Sequence, residues 1–117
     1  MAGTQAPLTL IPRFSTYVGP EFYRGFALDV TAFDALTLSM WSSPQHGVTP
    51  TVTLVIEGSM DRVTWTPLNT SWPLLPGVET QQTLDLSVPW IRSFLSVQGL
   101  NSAVTCWATG FLIRRER

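Results

Sequence analysis

The residues most able to do chemistry are few. His46, in the stretch Pro44-Gln45-His46-Gly47-Val48, is the only histidine, and Cys106, between Thr105 and Trp107, is the only cysteine. A hydrolase triad needs a histidine oriented by an acid beside a nucleophile, and no G-x-S-x-G or comparable motif is present. One Cys and one His cannot complete a zinc site, nor can a lone cysteine form an internal disulfide. His46 reads as an exposed loop residue and Cys106 as a small buried hydrophobe in an apolar strand. Asp29, Asp34, Asp61 and Asp85 carry the oxygen ligands that calcium favours, but their spacing matches no calcium loop. With Glu21, Glu57 and Glu79 they also form no pair suited to glycoside cleavage. The expectation is a protein without catalytic residues, metal or cofactor.

Binding chemistry is better supplied. Trp41, Trp65, Trp72, Trp90 and Trp107 fit either a sugar-stacking platform or a core and interface, where aromatic burial dominates. Trp72 stands in the Pro-rich stretch "NTSWPLLPG" with Leu74 and Leu75, and an exposed Trp-Leu-Leu loop suits protein docking better than sugar. The alternative is a carbohydrate site in which Trp41 and Trp72 stack on rings while Asp61 or Arg62 binds hydroxyls. In "VTCWATGFLIRR", residues 104–115, Val104, Cys106, Ala108 and Leu112 share one face and Trp107, Phe111 and Ile113 the other. One face meets a core, and the other must be covered by a loop or a neighbouring subunit. Arg114 and Arg115 follow, able to pair with acidic groups on a partner.

The elements that must position these residues read as β almost throughout. Period-two alternation marks "ALTLSMW" (35–41), "TVTLVIEG" (51–58) and "TLDLSV" (83–88). "RSFLSVQG" (92–99) and the segment 104–115 continue it, "GFALDV" (25–30) is a further strand, and "PLTLIPRFSTYV" (7–18) reads as one or two Pro-containing edge strands. Only "PEFYRGF" and "VTAFDAL" leave room for a short helix. Turn-rich connections separate the strands, with nine Pro and eight Gly spread through the chain. The 117 residues make one domain, large enough for a core without disulfides. An arm or edge strand over 1–20 precedes a β-sandwich over 21–117. The fold class is all-β, a jelly-roll-like sandwich of about eight short antiparallel strands.

Charged residues are 13% of the chain, half the usual share of about 25%, so the surface suits packing against other protein. A net charge of −1 argues against general nucleic-acid binding. No apolar run reaches the roughly 20 residues of a membrane span, and Pro7 and Pro12 interrupt any leader-like start.

The stretch "LVIEGSMDRVTWTPL" resembles the strand–turn–strand signature of galactose-binding-like (discoidin-type) jelly rolls. "LDLSVPWIRSFLSVQG" is similar to a later strand of that family, and "ATGFLIRRE" to its closing strand. Arg62 stands where the family usually has Gly, and the cysteine pair of secreted members is missing. The S-x-D-x-x-T-W corner, Ser59 to Trp65, also resembles structural proteins of tailed phages. The resemblance implies a non-enzymatic virion protein, such as a phage capsid decoration or minor capsid subunit. Its partners would be its own copies, as a trimer or larger, and a major capsid or other virion protein.

Overall fold

The computed structural model describes residues 4–114, which contain nine β-strands. They are β1 (Thr4–Val18), β2 (Glu21–Arg24), β3 (Leu28–Asp29), β4 (Ala35–Ser42), β5 (His46–Ser59), β6 (Thr66–Pro67), β7 (Trp72–Pro73), β8 (Thr80–Asp85) and β9 (Trp90–Arg114). Their pairings are antiparallel and form one sheet with the main path β6-β5-β9-β4-β8, to which β1, β2 and β3 add on β9 and β7 on β5, and the sheet curls around a single core. β9 is the spine. Its first half lies between β5 and the β2–β3 edge, and its second half between β4 and β1. The fold is therefore an all-β sandwich of jelly-roll character, with a shared strand passing from one layer to the other.

Two segments that read as separate strands, 92–99 and 104–115, belong as far as Arg114 to one strand of 25 residues. The polar "GLNSA" stretch does not end it, because Gly99 (φ 113°) and Asn101 (φ 54°) take left-handed backbone and bend β9 while pairing continues. "PEFYRGF" forms β2 rather than a helix, since β9 offers it a row of backbone partners from Val97 to Phe94. "VTAFDAL" is a turn that leads straight into β4. Strand alternation predicts the core well: Leu36, Leu38 and Met40 of β4, Leu54 and Ile56 of β5, and Ile91 and Leu95 of β9 are all buried.

Candidate functional site

Building outward from that core, four surface features come into view. The corner after β5 is the most local. Ser59 Oγ accepts from the Arg62 amide (2.8 Å) and the Asp61 amide (3.2 Å), and it donates to Asp61 Oδ1 at 3.0 Å. Asp61 Oδ1 in turn accepts from the amides of Val63 (2.8 Å) and Thr64 (3.0 Å). These bonds, the Thr64 amide foremost, hold the Asp61 carboxyl below its ordinary range. Arg62 sits at φ 64°, the conformation glycine would favour, and its guanidinium lies 4.5 Å from the Trp90 ring centre. Asp61→Ala is expected to lower the melting temperature at neutral pH. Because the folded carboxyl titrates below its unfolded value near 3.8, this contribution is full above that value. It fades as pH falls through the lower folded value, so wild-type and variant melting curves converge in acid.

The second feature covers the outer face of the β5–β9–β2 layer. Glu57, 8% exposed, accepts from Arg92 Nε at 2.8 Å, and Arg24 Nε stands 3.6 Å away. Arg92 stacks over Trp65 at 4.2 Å and Arg24 over Phe94 at 4.1 Å, with Phe22 edge-on to Phe94 at 5.4 Å. The β5–β9 register sets Glu57 opposite Arg92, and β2 sets Arg24 beside Phe94. Planar guanidinium groups suit this stacking where ammonium groups would not.

The third is a groove of about 810 Å³ on the opposite layer, between β1, β4, β8 and β9. Thr9, Thr37, Ser39, Gln81 and Thr109 supply hydroxyls and an amide, Phe111 a 45%-exposed ring, and Arg13 a guanidinium. The hydroxyls of Thr9, Thr37 and Thr109 make no hydrogen bond among the described residues, whereas Gln81 Nε2 reaches Ser39 Oγ at 3.3 Å. Arg13 lies 4.0 Å over the Trp107 ring.

The fourth is an edge. No strand pairs with the outer side of β1, β2 or β3 among the described residues. Four apolar side chains are spaced along it, Phe14, Val18, Phe22 and Phe26, between 55% and 93% exposed.

The residues expected to bind a partner fall differently. Leu74 is 2% exposed and Trp72 is half-buried against the core, because β7 pairs with Thr53 and Leu54 of β5 and draws the loop inward. This corrects the expectation of an exposed Trp-Leu-Leu knob: only Leu75 points out. Trp107 is also covered, by Arg13 of its own chain, since β1 bulges between Ile11 and Ser15 and folds over it. Phe111 and Arg114 are exposed, Ile113 is half-buried, and Arg115 lies outside the described residues. The expected sugar contacts are not gathered at one place. Trp41 lies on β4 opposite Trp107, Trp72 on β7, and Asp61 and Arg62 in the corner beyond β5. The Arg13–Phe111 groove and the Glu57 platform were not legible in the sequence, as each collects residues from strands far apart in the chain.

Cys106 is fully buried, and burial pushes its thiol up to about 11. The folded protein is expected to resist a thiol-specific reagent at pH 8, with one thiol titrating only after denaturation. His46 is exposed, and no three His, Cys, Asp or Glu side chains gather into a metal-holding group among the described residues.

No protein-family model and no curated protein matches the sequence. Solved structures do resemble the fold. The structure of infectious bursal disease virus Gt strain matches at TM-score 0.54 and 12% identity, over 97% of this chain and 33% of that one. A VP2 subviral particle of the same virus matches at TM-score 0.57 and 10% identity, over 96% and 32%. The chain thus spans about a third of the length of these capsid chains. The CBM22-1 xylan-binding domain of Paenibacillus barcinonensis Xyn10C matches at TM-score 0.53 and 8% identity, covering 99% of this chain and 98% of that one. At such identities the likeness is one of fold.

Proposed function

We propose that the chain is a non-enzymatic structural protein of a virion, a capsid decoration or minor capsid subunit of phage type that packs on its own copies and on a shell protein. The carrying observation is the unpaired β1–β2–β3 edge with its four exposed apolar side chains. A bare edge with aromatic residues is a template for association, which monomers ordinarily blunt. Likeness to viral capsid chains supports a shell location. The galactose-binding-like (discoidin-type) assignment belongs to the same proposal and rests on the Ser59–Trp65 corner.

Many copies on one shell would bind through multivalency, each contact being modest. Light scattering behind size-exclusion chromatography, over a range of concentrations, tests this reading. Discrete trimers or larger rings are expected. A monomer at every concentration would count against it.

Carbohydrate binding is the second reading, favoured by the groove and by the end-to-end likeness to a xylan-binding domain. Free hydroxyls beside an exposed ring are what sugar recognition uses. Xylo-oligosaccharide titration followed by calorimetry tests it. Phe111→Ala is expected to weaken binding at least ten-fold, and no heat with the wild-type protein would rule out this ligand.

A further inference from the structure

We infer that β2 is the seam of a two-fold contact between two copies of this chain, in an antiparallel register centred on Tyr23. The inference rests on the assembly reading above and gives it one defined contact, a two-fold seam that joins a copy in one trimer or ring to a copy in another. Backbone alternation carries the argument. The Gly25 amide donates to the Ser93 carbonyl at 2.9 Å, and in the same ladder Tyr23 opposes Leu95 and Glu21 opposes Val97. In an antiparallel pair, every second residue exchanges bonds with its neighbour. Glu21, Tyr23 and Gly25 are therefore spent on β9, while the amides and carbonyls of Phe22 and Arg24 point away from it. The Phe22 amide confirms the direction, since it donates to the exposed Glu21 carboxylate at 3.0 Å.

A second strand can bond only to those outward groups. When that strand is β2 of another copy, the hydrogen-bonded pairs are Phe22 with Arg24 of the second copy, and the reverse. Tyr23 then faces Tyr23 across the axis. Four backbone hydrogen bonds close the seam, with the Glu21 carboxylate giving way to a carbonyl. The side chains agree with this register. Phe22 and Arg24 share the face that holds Phe94, with Arg24 stacked on Phe94 and Phe22 edge-on to it. In the paired state each Arg24 lies between its own Phe94 and Phe22 of the second copy, so the stacking of guanidinium on ring continues across the seam. Phe26, 93% exposed just beyond β2, gains cover at each end. The patch is thus complementary to itself, as an isologous contact requires.

Two variants of the full chain separate this register from general stickiness. Arg24→Pro removes an amide aimed at the second copy and leaves the β2–β9 bonds intact. Arg24→Ala removes the same side chain but keeps the amide. Self-association measured by light scattering is expected to be at least ten-fold weaker in Arg24→Pro than in Arg24→Ala. Equal association of the two would overturn the inference.

Independently, Tyr23→Cys in a Cys106→Ala background is expected to form an interchain disulfide on mild oxidation. Non-hydrogen-bonded pairs stand about 4.5 Å apart at Cα, within disulfide reach. Phe22→Cys in the same background is expected to remain uncrosslinked. Equal crosslinking of both, or of neither in a wild-type protein that self-associates, defeats the Tyr23 register while leaving assembly standing. A wild-type protein that stays monomeric overturns both readings.

Discussion

Replacing Gly110 with valine is expected to destabilise the protein by about 3 kcal/mol or more, the upper end of what overpacking does. Gly110 lies in β9 between Leu38 of β4 and Leu8 of β1. A Cβ there would run into the carbonyl oxygen of Thr37, and it would stand 2.9 Å from the Leu38 Cα. Both neighbours are backbone, so no rotamer change relieves the contact, and β4 must move off β9. That movement would break the ladder holding one layer together and disturb the groove floor at Leu38 and Thr109. Glycine inside a strand marks such a close approach of backbones. Urea denaturation followed by tryptophan fluorescence reads the effect. A valine variant as stable as wild type would show that β4 and β9 do not approach so closely.

Glu57→Ala is expected to cost about 2 kcal/mol, below the roughly 3–5 seen on breaking fully buried pairs because Arg24 is half exposed. The loss follows from what remains. Arg92, whose side chain is 23% exposed, would keep its place over Trp65 without the carboxylate 2.8 Å away. Glu57→Gln preserves the volume and one acceptor, and is expected to lose less. A double-mutant cycle of Glu57→Ala with Arg92→Ala separates the pair from its parts, and a coupling above about 0.5 kcal/mol is expected for residues in direct contact. Additive losses would mean that the cation stack on Trp65, and not the ion pair, holds Arg92. Because Arg24 also reaches Glu57, the same substitution loosens the guanidinium that borders the β2 edge. Self-association and stability would then fall together.

The alternation of Leu36, Leu38 and Met40, and of Val52, Leu54 and Ile56, marked two strands and their buried faces, because side-chain direction in a strand follows a period of two. The Ser59–Asp61 corner was legible for a similar reason: short polar side chains bond amides two or three residues away. The unusual Arg62 position was visible too, as a residue where glycine is customary, and its positive φ agrees. Local chemistry thus fixed the fold class, the two alternating strands and the turn.

Other features depended on which strands meet. Trp72 stands beside Pro73 in a loop-like stretch, and nothing nearby announces that Leu54 of β5 will pair with it. Trp107 lies on the outer side of its strand, as alternation requires, yet a bulge in β1 brings Arg13 over it. Glu57 reads as the end of a strand and becomes the centre of a platform only because β9 carries Arg92, 35 residues later, to within hydrogen-bond distance. The sequence by itself determined the β character of the strongly alternating segments and the Ser59–Asp61 turn, since periodicity and turn chemistry act within a few residues. Only the tertiary structure decided which side chains are covered and which edge stays open, because pairing along the long β9 strand brings together residues that are distant in the chain.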